Sequence, residues 1–356
     1  MIPYFVLLLV VVLLALIAKK AKNNKILYRS VIFFIFLLLV LFAGLRDRSV
    51  GTDTNNYIGY FQSDQVVNES LLESKSSLEI GYEILQKTAR IFSDDYWILL
   101  TFIAITVVFF YFKTILILSE NHAVSIFVFI TLATYLFFFN GARQGIAAAI
   151  FSFAIVAVVN KDYKKYYLWV AVAFLFHKSV LVTLPFYYLL RKKYSLKNLV
   201  ILLGSLFIMV LVFSQLLTVL PDAMTSKYSQ YIDRGRGGGL LLTIFHVIIL
   251  SYFVFMRQYI SRSQKGIYDI YLNMVTIFTL IFVMVSLAGL DVNLLRMSLY
   301  FSLGSILIWP IVFKTMRKKL KPLVMLFFII GHLMFFYIYI GKMSNLYPFS
   351  FNSIGV

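Results

Sequence analysis

The chain has 356 residues, 61% of them hydrophobic and 13% charged, with no cysteine and a formal net charge of +18. That balance excludes an ordinary soluble domain and points to a polytopic membrane protein. Disulfides, thiolate chemistry and cysteine-held zinc are excluded with the missing cysteine. The positive charge sits in short clusters between apolar runs, so it reads as a topology signal and a lipid contact, not as a nucleic-acid surface.

Runs long enough to cross a bilayer fall at 2–18, 26–44, 96–118, 123–139, 144–160, 198–220, 240–260, 269–289, 295–314 and 322–341. The expected fold is all-α and polytopic, about ten transmembrane helices in one integral membrane domain over 1–356. Met1–Ala18 lacks a charged n-region and a small-x-small cleavage site, so it reads as a retained helix, not a signal peptide.

Lysine and arginine in short loops set the orientation. Lys19, Lys20, Lys22, Lys25 and Arg29 put the first loop in the cytoplasm and the segment 45–95 outside. The loop near Lys113 is then inside, Asn140 to Arg143 outside, and Lys161, Lys164 and Lys165 inside. The apolar segment 166–190 decides the rest. A single crossing would put the basic clusters at 191–197, 257–265 and 314–321 outside, against the rule each time. The segment is too short for two crossings of about 20 residues each. The expectation is a re-entrant hairpin with Phe176, His177, Lys178 and Ser179 at its tip. Non-helical backbone at that depth survives only inside protein or beside a water-filled cavity. A single crossing is the alternative. With the hairpin, both termini and a second polar loop, 221–239, lie outside.

The long outer segment opens with FAGLRDRSVGTDTNNYIGYF (42–61), where an apolar helix gives way to Arg46, Arg48 and Asp53. Thr52 or Asp53 is the expected cap of a short helix carrying Asn55, Tyr57, Ile58 and Phe61. Leu78, Tyr82, Leu85, Ala89 and Phe92 then form one apolar stripe, with Glu79, Glu83, Lys87 and Arg90 off it. This predicts an amphipathic helix on the outer leaflet with its carboxylates in solvent. Ser93, Asp94 and Asp95 are the expected cap of the next span.

Arg143 and Gln144 sit in NGARQG (140–145), whose glycines let a ligand approach the backbone. Ala147, Ala148 and Ala149 behind them permit close helix packing. The plain alternative for Arg143 is snorkelling to headgroups. His177, in the middle of an apolar segment and followed by Lys178 and Ser179, is either a satisfied core residue or a functional group. An imidazole there suits proton transfer or hydrogen bonding to a phosphate. Arg296 opens a span, with Tyr300 one turn later and Asp291 as a local partner; Arg234 and Arg236 lie in a glycine-rich outer loop. His122, His246 and His332 lack partners at ligand spacing, and no Walker or dinucleotide loop is present, so no metal or cofactor is expected. Arginines gathered at a bilayer rim suit a lipid-linked diphosphate, because guanidinium groups bind phosphate oxygens in bidentate fashion.

The order LRDRSVGTDTNNY, EIGYE (79–83), NGARQGIAAAI (140–150), AFLFHKSVLVTLP (173–185) and RMSLYF (296–301) resembles the EpsG-like family of Wzy-type polysaccharide polymerases over nearly the whole chain. The resemblance implies a glycosyltransferase of GT-C-like architecture. Such a protein extends capsule, exopolysaccharide or O-antigen chains on the outer face of the bacterial plasma (inner) membrane. It implies an undecaprenyl-diphosphate-linked oligosaccharide as substrate, a flippase and a chain-length regulator as partners, and no nucleic acid. Arg46, Asp53, Glu79, Arg143, His177 and Arg296 fall on the family's polar motif positions. Arg48, Arg234 and Arg236 are added from charge and topology, and Gln144 and Tyr300 from their places beside Arg143 and Arg296. The expected catalytic set is Asp53, His177 and Arg143, with Asp53 or His177 as general base. The expected substrate contacts are Arg46, Arg48, Glu79, Gln144, Arg234, Arg236, Arg296 and Tyr300. An O-antigen ligase-type transferase, a lipid-linked oligosaccharide flippase and a sugar O-acetyltransferase are the alternatives.

Overall fold

The computed structural model describes residues 1–63, 79–218, 239–288, 292–343 and 345–352. Leu78, Arg234, Arg236 and Asp291 lie outside them. The fold is all-α: 80% of it is helical and no strand is present among the described residues. Seven helices are long and apolar enough to cross a membrane, or eight if a bent pair counts as one span. The protein is a multi-pass membrane protein.

Three of the expected spans depart from a straight, fully described helix. In place of 123–139, helix α6 (His122–Thr131) stops early. Ala133 takes a positive φ of 59°, and Phe137–Phe139 forms a 3-10 turn. The aromatic run Tyr135 to Phe139 packs edge-to-face on itself and on Phe129 instead of continuing the helix. In place of 295–314, Leu294–Phe301 and Leu303–Thr315 meet at a bend of 42°. The span at 198–220 becomes α10 (Leu196–Thr218), with side chains described only to Ile208.

The contacts group the chain into two compact units. The first holds residues 1–157, 164–181 and 318–356. Its long helices are α1 (Ile2–Lys20), α2 (Lys25–Gly44), α5 (Tyr96–Leu118), α7 (Ala142–Val159) and α14 (Lys321–Ile338). Asn24 starts α2 by accepting a hydrogen bond from the Leu27 amide at 3.1 Å. Helix α7 is the inner one, with 78% of its apolar window buried. Ala147, Ala148 and Ala149 are buried in it, as their size requires. Phe110 on α5, Phe153 on α7 and Trp169 on α8 (Tyr163–Phe174) interlock edge-to-face, and Thr114 bonds Ser152 at 2.7 Å.

Helix α4 (Ile80–Phe92) corrects the expected surface helix. Tyr82, Leu85 and Ala89 are buried as the stripe required, but Glu79 and Glu83 are buried too. The exposed side chains are Ile80, Ile84, Ile91 and Phe92. The helix therefore turns its carboxylates into the protein and an apolar face outward. Arg90 ties it to the end of α3 (Thr54–Phe61), donating to the Phe61 and Ser63 carbonyls at 2.8 and 2.9 Å. The expected caps also differ. Asp53 and Asp95 stand at N-cap positions without a side-chain cap bond, and Asp95 accepts instead from the Ser93 hydroxyl.

The segment 166–190 has the folded-back form. Helix α8 ends at Phe174, a 3-10 turn covers Lys178–Thr183, and α9 (Phe186–Leu190) follows. The ring of Tyr187 returns to within 6.5 Å of Tyr163, where α8 began.

The second unit, 158–163 and 182–317, is built on α12 (Lys265–Ala288), packed by α11 (Gly239–Met256) and α13 (Leu303–Thr315). Asp269 and Asn273, one turn apart on α12, hold the chain after α9. Asn273 donates to the Leu190 and Lys192 carbonyls, and Asp269 accepts from the Tyr194 amide. Arg257 grips Asp269 with two bonds of 2.6 and 2.8 Å. Asp269→Ala is expected to cost about 1–3 kcal/mol by removing the charged hydrogen-bond partner of a half-buried guanidinium, read as a lowered unfolding temperature in detergent.

Candidate active site

The site is assembled by the ends of helices, where backbone groups lack helical partners. Helix α7 begins at Ala142. Its first amide is satisfied by the Tyr57 hydroxyl at 3.1 Å. The preceding residue pair is fixed by Asn140, whose side-chain oxygen accepts from the Thr52 amide at 2.8 Å. Gly51 has φ +100°, and a Cβ on it would meet the Phe139 carbonyl at 2.7 Å. Only glycine fits this crossing of the two polar loops. The loop is braced from behind by the C-terminal segment: Gly51 donates to Asn345, Asp47 to Ser350, and Asn352 to Leu45.

Arg143 thus leaves the first turn of α7 in a fixed direction and meets Glu79. One guanidinium nitrogen lies 2.6 Å from Glu79 Oε2. The other carboxylate oxygen, Oε1, is 2.9 Å from His177 Nδ1. Glu79 is the N-cap residue of α4, and His177 is at the tip of the folded-back segment. The approach of these two elements is set by Gly81, whose amide donates to the Leu175 carbonyl at 2.7 Å. A Cβ there would lie 2.7 Å from that same oxygen.

The carboxylate is 7% exposed, whereas Arg143 and His177 are 30% and 28% exposed. Burial alone would raise the Glu79 pKa; the His177 hydrogen bond and the Arg143 charge outweigh it and hold the carboxyl down at about 2. Glu79 is therefore an acceptor only, so Nδ1 of His177 carries the proton toward it. Arg143 spends one terminal nitrogen on Glu79, and its side chain stays partly exposed.

Other expected site residues fall differently. Asp53 is half-buried at the start of α3, on the loop that Asn140 pins. Arg48 is exposed and donates to Asn55 at 2.9 Å. Arg46 is fully buried, 4.2 Å from the Phe139 ring centre and bonded to the Ala43 carbonyl. It presents no surface to a ligand, and burial lowers its pKa only to about 10, so it stays a cation. Gln144 is buried. Arg296 and the buried Tyr300 belong to the 3-10 stretch Val292–Phe301 of the second unit. The sequence reading missed the supporting residues Tyr57, Asn140 and Gly81. Their signal was motif membership: each lies in one of the polar stretches that the structure brings together. Among the described residues no three metal-ligating side chains cluster.

A sequence model described as the EpsG family matches residues 29–351. No curated protein and no solved structure matches the chain. The chain belongs to the EpsG family, a family of Wzy-like polysaccharide polymerases.

Glu79→Gln keeps the shape but loses the charge, and Gly81→Ala forces α4 off the hairpin tip. Each is expected to lower polymer formation about 100-fold, Gly81→Ala by displacing the groups it positions by about 1 Å and Glu79→Gln by removing the charge that orients Arg143 and His177. The Glu79 pKa is depressed, so its stabilisation is complete above the ordinary carboxylate value of 4.5 and is lost as pH falls toward about 2. The difference in thermal stability between wild type and Glu79→Gln is expected to be flat above about pH 5 and to shrink below it.

Proposed function

We propose that this member of the EpsG family transfers a growing glycan from undecaprenyl diphosphate to a hydroxyl of a lipid-linked oligosaccharide repeat unit. The observation that carries the reading is the Glu79 carboxylate holding Arg143 and His177 side by side. These groups match the needs of glycosyl transfer from a diphosphate. The bond between the anomeric carbon and the phosphate oxygen breaks, and the electron pair leaves with undecaprenyl diphosphate. The unspent N–H groups of Arg143 bind the oxygens on which that charge develops. Nε2 of His177 takes the proton of the acceptor hydroxyl as its oxygen bonds to the anomeric carbon. Glu79 touches neither reactant in this scheme; it orients both side chains and stabilises the imidazolium once formed.

Asp53 and Arg48, on the loop pinned to α7, are assigned to the acceptor and to the headgroup rim. The substrate contacts expected of Arg296, Tyr300, Arg234 and Arg236 rest on the sequence motifs and loop charge alone. Arg46 and Gln144 take supporting roles, because both are buried. The charge pattern of the loops favours the outer face of the plasma membrane for this chemistry.

The test is turnover of a defined lipid-linked repeat unit by purified protein, with glycan length read on a gel. Wild type is expected to build a ladder. Arg143→Ala and His177→Ala are expected to lose about 100-fold or more in rate, as removal of an oxyanion donor or a general base does. Undiminished polymer from either variant at normal membrane levels would remove the assignment. A cysteine at Ser179 has no background thiol. It is expected to react with an impermeant maleimide added outside, and labelling only from inside would place the site on the other face.

A further inference from the structure

The far end of α2 from Arg46 carries a second feature, apart from the proposed site. Between α2 and α5 of the first unit lies an open groove of about 370 Å³. Phe33, Phe36, Phe109 and Phe112 line it together with Arg29 and Lys113. Phe33 and Phe109 are 63% and 48% exposed, so protein does not close the groove. Both cations are exposed, and neither has an ion-pair or hydrogen-bond partner among the described residues.

Their depth gives this arrangement its meaning. Arg29 is about 6 Å into α2 and Lys113 about 7 Å before the end of α5, at 1.5 Å per residue. Each is therefore one turn or more inside a helix that spans by length and composition. A cation at such a level reaches for the interface or is neutralised by an anion. Two cations on neighbouring helices above an aromatic trough match an amphiphile with a negative head. Exposed Lys19 and Lys22 border an adjoining small cavity, which shares Tyr28 and Ile32 with the groove. The one acidic group lining that cavity is Glu120. A basic pocket between transmembrane helices is the kind of surface that holds an anionic headgroup.

We propose that this groove is a binding site for an anionic phospholipid. The phosphate sits between Arg29 and Lys113, and an acyl chain lies along the four phenylalanines. A zwitterionic lipid would bring its own cation against the pair, and a free phosphate would leave the trough unfilled. The polymerase reading is not needed for this site, which shares no residue with the groups assigned to catalysis.

The experiment is native mass spectrometry of protein released from nanodiscs with equal phosphatidylglycerol and phosphatidylcholine. Wild type is expected to retain phosphatidylglycerol about thirty-fold over phosphatidylcholine, the preference that two basic residues supply. Arg29→Gln with Lys113→Gln is expected to lose the preference, while Arg262→Gln with Lys193→Gln, also at exposed cations, keeps it. Equal retention of both lipids by wild type overturns the proposal without recourse to any variant. An equal loss in both double variants overturns it in favour of diffuse attraction. Displacement of phosphatidylglycerol by an equimolar amount of undecaprenyl phosphate overturns the choice of ligand.

Discussion

A single carboxylate sets the geometry on which the site depends. Glu79 is buried, and a buried carboxylate without partners is costly enough to neutralise itself. Here Arg143 and His177 prevent that, and the carboxylate in return holds two side chains that are only partly enclosed. The three residues come from the cap of α4, the first turn of α7 and the tip of a folded-back segment. None of these elements continues as a helix through that point, so each arrives with unsatisfied backbone groups. The Gly81 amide on the Leu175 carbonyl and the Tyr57 hydroxyl on the Ala142 amide settle two of them. Local backbone satisfaction and site geometry are therefore one structural problem with one solution.

The loop after α2 serves the same assembly from the other side. Arg46 would be an expensive residue to bury for its own sake. Its guanidinium rests on Phe139 and bonds Ala43, while its backbone pairs with Phe351. Phe42 stacks on Phe349 at 4.4 Å, and the Tyr4 hydroxyl bonds the Leu346 carbonyl. The C-terminal strap, the buried arginine and the 3-10 turn before α7 thus form one wedge beneath Asn140 and Gly51. Exposed Arg48 and half-buried Asp53 are among the groups of this loop left toward the surface. Two arginines separated by one residue have opposite fates, one structural and one available.

The helical content and the order of spans were legible in the sequence because apolar length is a direct consequence of bilayer thickness. The fold-back at 166–190 was legible by charge: three basic clusters would otherwise have broken the same rule. The early stop of α6 was not, because Tyr135 to Phe139 is as apolar as a helix interior, and hydropathy carries no record of which way a ring packs. The orientation of α4 failed for a related reason. Its stripe was read correctly, but Glu79 was assigned to water because its partners lie far along the chain, and Glu83 is buried although its partner Lys87 is only one turn away. Arg143 is 64 residues from Glu79 and His177 is 98. Periodicity sees neighbours within a helix; it does not see a counter-charge delivered by another one.

A carboxylate placed at the heart of a proposed diphosphate site needs a physical reason, since it repels the ligand. The charge balance supplies one. In the proposed scheme the acceptor meets the neutral ring, so Glu79 and Arg143 cancel and the cluster carries almost no net charge before reaction. Attraction of the donor then rests on cations further out, such as Arg48, and not on a trap that would also hold the product. When Nε2 accepts the acceptor's proton, the cluster becomes positive by one unit. In that scheme the change coincides with the departure of undecaprenyl diphosphate, whose new charge appears as the bond to the anomeric carbon breaks. In that scheme Glu79 stabilises the imidazolium, which acts on the leaving group together with Arg143, so favourable electrostatics arise in the transition state more than in the ground state. A fixed second cation in place of the histidine would bind donor and product alike. The carboxylate cancels standing charge so that the charge created by proton transfer is the one that counts.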